Sequence, residues 1–288
     1  MAASHEAVFL FWLMFPEQLW GVVDMNDMWR LIIDTPTDGA TNMARDEALL
    51  ISHAASRVWP TLRLYHWSPA CLSIGRFQRS NDIAHAVCAT HHIDVVRRLS
   101  GGRALLHDNE ITYTIVVSID HPLFKEHRSI LETYHQISLT IQKGLQYLGI
   151  AVDLTPARRK KAHGSAACFD SPASYELTVD GRKLVGSAQA RRDGVLMQHG
   201  AIPFTMRMDR LTSLFVEPPA HLGTQMTSLC KVTKHPYSFD AVASALIKGF
   251  ETMWGIRFEQ RPWTAAEQTQ VNELRTSRYA NASWTFAR

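Results

Sequence analysis

The stretch from residue 175 to 204 limits the fold more than any other. Tyr175–Val179 alternates apolar and polar residues, Asp180-Gly181 follows, and residues 183–190 return with strand-like composition. Asp-Gly between two such runs signals a tight hairpin, because both turn positions need positive φ. Arg192, Asp193 and Gly194 then turn the chain into a third run at 195–204. Consecutive antiparallel strands need a partner layer over at least one face, and the rest of the chain must provide it.

Helical patterns supply that cover. Residues 127–149 place Ile130, Leu131, Tyr134, Ile137, Ile141, Leu145 and Leu148 at three- and four-residue steps, with Gly149 as terminator. Residues 239–254 and 264–276 form two later helices, and 42–57 carries an apolar stripe of Met43, Ala44, Ala48, Leu49 and Ile51. A shorter helix is expected over 81–92, capped by Ser80 or Asn81. Strands are expected at 29–34, 62–67, 93–97 and 111–118, with 70–75 returning as the hairpin partner of 62–67. This mixture predicts an α+β fold: a mixed, largely antiparallel sheet flanked by helices.

The chain has 288 residues, enough for a substantial core, and a net charge of only +3. That charge does not mark a nucleic-acid binder, and no nucleic acid is expected as a partner. Its four cysteines, Cys71, Cys88, Cys168 and Cys230, are scattered without a CxxC pair or zinc spacing, so neither a metal site nor a disulfide framework is expected. Residues 8–15 (VFLFWLMF) are apolar but far short of the roughly 20 residues a membrane span needs. No Lys or Arg precedes them, which argues against a secretory signal. Residues 1–27 are expected to be an N-terminal extension, packed on the body or translated upstream of a start at Met25 or Met28. Residues 28–288 are expected to form one catalytic domain. The chain is expected to be cytoplasmic and monomeric, with no stable membrane insertion.

Three segments could carry chemistry. In RRLSGGRALLHDNE, Gly101 and Gly102 allow a close backbone approach, and Arg98 and Arg103 could bind an anion; a plain hairpin turn would look the same. In SAACFDSPASYEL, Cys168 lies in a small-residue loop just before a strand, as an accessible nucleophile requires. A lone cysteine is also a common buried structural residue. Lys183 follows the Asp180-Gly181 turn, which folds it back beside the Cys168-bearing arm. An ammonium there could lower the thiol pKa and later shuttle a proton; alternatively Lys183 is a solvated turn residue. Gly186, Ser187 and Ala188 would leave room for a ligand beside that strand or simply pack closely against a neighbour, and His199-Gly200 lies on the next, where His199 could bond a substrate carbonyl or be a satisfied core histidine. The basic run at 158–161 could steer an acidic carrier protein toward the Cys168 loop.

In order and spacing, RRLSGGRALLHDNEITYT, ACFDSPASYEL, GRKLVGSAQARRDGVLMQHGAI and SRYANASW resemble the lipoate-protein ligase and octanoyltransferase superfamily, and within it the LipM-type octanoyltransferases. The resemblance runs from about Trp29 to the C-terminus. It implies the catalytic-domain fold of biotin and lipoate protein ligases and needs no cofactor. It also implies transfer of octanoyl from acyl carrier protein to a lysine on the lipoyl domain of a protein such as glycine cleavage H protein, the first step of protein lipoylation. Under it, Cys168 is the acyl-thioester nucleophile and Lys183 lowers its pKa. Arg98, Gly101, Gly102 and His107 match the substrate-pocket loop; Gly186, Ser187, Ala188, His199 and Gly200 match the acyl-pocket strands. Ala173 and Ala201 replace residues that are often Ser in the family.

The rivals are separable. An ATP-dependent lipoate ligase would share Lys183 but needs no thiol. An amidotransferase between lipoyl domains would share the Cys–Lys pair but fits the motifs less well. A ligand-binding regulator on the same fold would be expected to lack one of the two residues, and the glycine/arginine signature of a biotin ligase is absent.

Overall fold

The protein is described by a computed structural model that covers residues 27–56, 58–156, 175–218 and 222–287. Its eleven strands are β1 (Met28–Ile33), β2 (Thr61–Tyr65), β3 (Cys71–Ile74), β4 (Asp94–Arg97), β5 (Leu105–His107), β6 (Glu110–Ser118), β7 (Asp153–Pro156), β8 (Tyr175–Val179), β9 (Arg182–Arg192), β10 (Val195–Pro203) and β11 (Arg257–Gln260). The longer helices are α1 (Gly39–Ala54), α3 (Ile130–Tyr147), α7 (Phe239–Trp254) and α8 (Ala265–Leu274). The shorter ones are α2 (His85–Thr90), α4 (Met208–Ser213), α5 (Leu222–Gln225), α6 (Leu229–Thr233) and α9 (Ala282–Thr285).

Eight strands form one sheet in the order β11-β1-β2-β6-β10-β9-β8-β7, and β4-β3-β5 forms a second. β1 runs parallel to β11 and β2, and the other neighbours in the large sheet are antiparallel. The expected mixed, largely antiparallel sheet is therefore present. Both turns of the 175–204 meander have positive φ at both positions: 49° and 71° at Asp180-Gly181, 51° and 74° at Asp193-Gly194. This is the geometry that matches the twist of the flanking strands.

One expected pairing does not form. β2 is fully buried between β1 and β6, so both of its edges are taken. The chain therefore leaves the large sheet after Trp67, and β3 pairs with β4 and β5 instead. Leu72 and Ile74 pack there in a separate cluster with Ile83, Cys88, Ile93, Leu211 and Leu214. The expected helix over 81–92 shrinks to α2, preceded by a single 3-10 turn at Ser80–Asp82.

The two faces of the large sheet are covered differently. On one face α3 and α7 pack against Ile115, Val117, Leu177, Leu184 and Leu196. Ser129 and Glu132 begin α3 with a reciprocal capping box. The two helices cross closely, because a Cβ on Gly249 would lie 2.6 Å from both the Gly144 nitrogen and the Thr140 carbonyl oxygen. On the other face lie α1, α8 and the small sheet; Leu49 and Leu50 pack on Val116, Val195 and Met197. The gap between the two sheets, where Leu105 of β5 approaches Gly186 of β9, is the cleft on this second face.

Candidate active site

A β-bulge sets the face on which Lys183 appears. β8 and β9 pair as Leu177↔Val185 and then Thr178↔Lys183, so Leu184 is the extra residue. Leu184 and Val185 consequently both enter the α3/α7 core. Lys183 and Gly186 are left together on the cleft face. Gly186 lies under the side chain of Leu105 on β5, whose methyls stand 3.6 and 3.9 Å from the position of a Cβ. Lys183 forms a bridge with Met226, which packs on the small-sheet cluster. Ala188 follows on the same face and pairs with His199 of β10. Thr178 is the cross-strand partner of Lys183, and Glu176, two residues before it, shares its face. The Lys183 Nζ donates to Glu176 Oε1 at 3.1 Å, with the two side chains 31% and 34% exposed.

Opposite this strand lies the Gly-Gly loop, fixed by Arg98. Its guanidinium donates to the Ser100 hydroxyl (3.2 Å), the Ser73 carbonyl (3.0 Å) and hydroxyl (3.2 Å), and the carbonyls of Gly101 (2.7 Å) and Arg103 (2.8 Å). All three nitrogens are engaged, so Arg98 shapes the loop rather than offering a free anion site. Burial holds its pKa down to about 10, which still leaves it charged at neutral pH. Gly102 has a φ of 91°. A Cβ on Gly75 would overlap the Gly102 carbonyl oxygen, so β3 and the loop meet backbone to backbone. Gly101, in contrast, has no atom within 4 Å of its Cβ position and faces open space.

His199 joins this loop to α1. Its Nε2 lies 2.6 Å from Ser100 Oγ and its Nδ1 lies 3.0 Å from Asp46 Oδ2. Burial lowers the His199 pKa despite the hydrogen bond and charge of Asp46, so the ring is neutral at pH 7. With its one proton on Nδ1 donated to Asp46, Nε2 accepts the Ser100 hydroxyl. Asp46 also receives Arg63 at 2.7 Å, Thr114 at 2.9 Å and Tyr65 at 3.1 Å. Burial alone would raise its pKa; the His199 hydrogen bond and the Arg63 charge outweigh that and lower it. His107 is held similarly, with Nδ1 2.5 Å from Glu110, Nε2 2.8 Å from Ser73 Oγ, and its ring stacked on Trp67 at 4.0 Å.

The structure thus brings Arg98, Gly101, Gly102, Gly186, Ala188 and His199 around one cleft with Lys183, and His107 braces the loop through Ser73. It separates Ser187 and Gly200 from them. The Ser187 hydroxyl bonds Tyr113 OH at 2.7 Å on the helical face. The Cβ position of Gly200 points the same way, 2.6 Å from the Tyr113 ring. Strand alternation explains both placements, since Ser187 and Gly200 are cross-strand partners one step from the Ala188–His199 pair. Sequence reasoning missed Asp46, Ser73, Ser100 and Glu176. Ser100 and Glu176 stood inside the quoted motifs, whereas Asp46 lies far along the chain from His199 and carried no local signal.

Cys168, the basic run at 158–161 and residues 1–26 lie outside the described residues. Of the described cysteines, Cys71 and Cys88 are buried, and burial raises both thiols, far more so for Cys71. Neither has the character of a thiolate nucleophile. Among the described residues no group of three His, Cys, Asp or Glu side chains could hold a metal ion, and no helix is long and apolar enough to cross a membrane.

Fold and cleft together define a catalytic domain of the lipoate-ligase type. The lipoate-protein ligase A structure bound with ATP superposes with a TM-score of 0.76, covering 90% of this chain and 98% of that one at 22% identity. The putative lipoate protein ligase of T. acidophilum with bound lipoic acid gives 0.72 over 90% and 99%, also at 22% identity. Residues 38–251 match the lipoyl protein ligase A/B catalytic domain, and the chain belongs to that family. It is 39% identical to the octanoyltransferase LipM of Brevibacillus brevis, across 91% of this chain and all (100%) of that protein. Against the octanoyltransferase LipM of Bacillus subtilis it is 35% identical, across 91% and 99%. At this likeness the activity is that of an octanoyltransferase, an acyltransferase of lipoate biosynthesis.

Proposed function

We propose that the chain takes octanoyl from acyl carrier protein onto Cys168 and delivers it to a lysine on the lipoyl domain of a protein such as glycine cleavage H protein. The observation that carries this reading is the cleft-facing, partly exposed Lys183 ammonium. It follows the Cys168 segment across one hairpin and lies on the face of β9 that carries Gly186 under Leu105 of β5. A Cys168 thiolate attacks the donor thioester, and the carrier's pantetheine thiolate leaves. Backbone N–H groups of the Gly-Gly loop hold the transient oxyanion. The acceptor amine then attacks the acyl-Cys168 carbonyl, forming a C–N bond and breaking the C–S bond. Thioester replaces thioester and then yields amide, so neither ATP nor a cofactor enters. Lys183 stabilises the thiolate as both attacker and leaving group. Residues 28–288 act as one catalytic domain in the cytoplasm, with 1–27 as an extension.

The test is incubation with octanoyl-acyl carrier protein and no ATP, followed by intact-protein mass measurement. An octanoyl adduct is expected in the wild type and absent from Cys168→Ala. An adduct that needs ATP with free octanoate, or that survives Cys168→Ala, overturns the reading.

A further inference from the structure

The motif SRYANASW, residues 277–284, holds groups on both sides of the cleft. On one side it grips Glu47 of α1. Arg278 Nη1 donates to Glu47 Oε1, and Tyr279 OH donates to Oε2 at 2.8 Å. Arg192 of β9 donates to the same Oε1 at 3.1 Å, and the Glu47 side chain is 1% exposed. Through Glu47 the motif is fixed to α1 and to the large sheet, which carries Lys183 and His199. On the other side it grips Arg97 of β4, in the small sheet. Trp284 Nε1 donates to the Arg97 carbonyl at 2.8 Å. In return Arg97 Nε donates to the carbonyls of Trp284 and Thr285, each at 3.1 Å. Arg97 Nη1 donates to the carbonyls of Gly75 (2.9 Å), Arg76 (3.2 Å) and Gln78 (2.8 Å). Between the two grips the Trp284 ring has the Arg76 and Arg278 guanidiniums 5.0 and 4.9 Å from its centroid.

Both grips lead to Ser100, the residue before Gly101. From Arg97 the path runs through the 75–78 turn, where the Arg76 N–H donates to the Ser100 carbonyl at 2.9 Å. From Glu47 it runs through its neighbour Asp46, whose partner His199 lies 2.6 Å from Ser100 Oγ. The loop beyond Ser100 needs this support. Gly102 is exposed and no atom lies within 4 Å of the Gly101 Cβ position, so packing does not fix the loop. Arg98 shapes it and ties it to Ser73 of β3, but β3 belongs to the same small sheet. Those bonds do not set the spacing between that sheet and Lys183.

We propose that SRYANASW is a clasp across the cleft, with Arg97 and Trp284 as positioning residues for the Gly-Gly loop. This rests on the octanoyl-transfer reading, in which the N–H groups of that loop hold the oxyanion. A buried ionic group adds little to stability over a well-packed apolar one. What Arg97 supplies is geometry, because one planar fork reaches two chain segments at a fixed spacing. Both half-reactions pass through an oxyanion on the same octanoyl carbonyl, once when the Cys168 thiolate adds and once when the acceptor amine adds. A displaced loop therefore slows both by a similar factor. Donor binding is left largely alone, because the oxyanion is absent from the bound thioester.

Two substitutions test the clasp. Arg97→Lys keeps the charge, but a single ammonium lacks the fork that spans both segments. Trp284→Phe keeps a ring between the two guanidiniums and deletes only the Nε1 hydrogen bond. Each variant and the wild type are loaded from octanoyl-acyl carrier protein over a range of donor concentrations, and the acyl-enzyme is then mixed with the lipoyl-domain acceptor. In Arg97→Lys the maximal rate constants of loading and transfer should each fall by about tenfold or more, with donor half-saturation within about twofold of wild type. In Trp284→Phe both should fall by about threefold, in keeping with one hydrogen bond. Should Arg97→Lys not fold, Trp284→Phe decides alone. A motif that only stabilised the fold would lower the fraction loaded and leave the rate constants of the folded fraction unchanged. That outcome, a loss confined to donor half-saturation, or a loss in one half-reaction only overturns the proposal. Failure of the wild type to load would instead defeat the Cys168 reading.

Discussion

At Gly75 the place of a side chain is taken by the Gly102 carbonyl, so the Gly-Gly loop can lie where it does only above a residue without a Cβ. Gly75→Ala should push that loop outward. Gly102 is exposed and at a φ of 91°, so the loop can yield and the core beneath it need not. The expected result is a fall of at least about tenfold in Cys168 loading, since displacing reacting groups by about an ångström costs that much or more. The melting temperature should fall by only a few degrees, equivalent to about 1–2 kcal/mol of overpacking. Unchanged loading, checked by the mass assay, would show that the loop position does not matter. Gly101, Gly102, Arg98 and His107 were visible in the sequence because they fall in one short motif. Gly75 was not, because a close approach between segments far apart in the chain leaves no local pattern.

Among the elements, the meander was legible and its bulge was not. Asp180-Gly181 and Asp193-Gly194 announce their turns because few other residues accept positive φ there. Leu184 and Val185 look like any apolar pair, and only the cross-strand register shows that both enter the core while Lys183 turns to the cleft. The pairing of β2 was misread for a similar reason, since an apolar strand does not reveal which neighbours claim its edges. The α3–α7 crossing belongs at this scale too. Glycine inside a helix costs about 1 kcal/mol against alanine, so Gly144 and Gly249 must be compensated by the contact they permit. Gly249→Leu should separate the helices and lower stability by about 2–4 kcal/mol, more than the preference for Leu over Gly in a helix returns. Specific activity of the folded fraction should hold, because α7 packs on the face away from the cleft. Urea unfolding measures the first and the loading assay the second. A variant as stable as wild type would mean that the crossing is not tight.

For the molecule as a whole, the buried polar hub around Asp46 decides how it responds to acid. It ties α1 to β2 through Arg63 and Tyr65, to β6 through Thr114, and to β10 and the Gly-Gly loop through His199 and Ser100. In the acid range two groups in it titrate differently folded and unfolded. The His199 pKa lies below its ordinary 6.5 through burial, so the unfolded chain takes up a proton that the folded one refuses. That contribution is complete above pH 6.5 and diminishes as pH falls below it. The Asp46 pKa lies below 3.8 because His199 and Arg63 overcome the penalty of burial. Its contribution is complete above 3.8 and is lost as pH falls through the folded value. Stability should therefore decline in two stages, a first slope below pH 6.5 and a collapse below 3.8. His199→Gln should flatten the first slope only in part, because burial also lowers the His53 pKa. Asp46→Asn should cost about 3–5 kcal/mol already at pH 7 by leaving the buried Arg63 charge less well paired. Urea titrations at pH 7, 5.5 and 4.5 would check both. An identical slope in wild type and His199→Gln would mean that the hub does not set the acid response and that histidines outside it do.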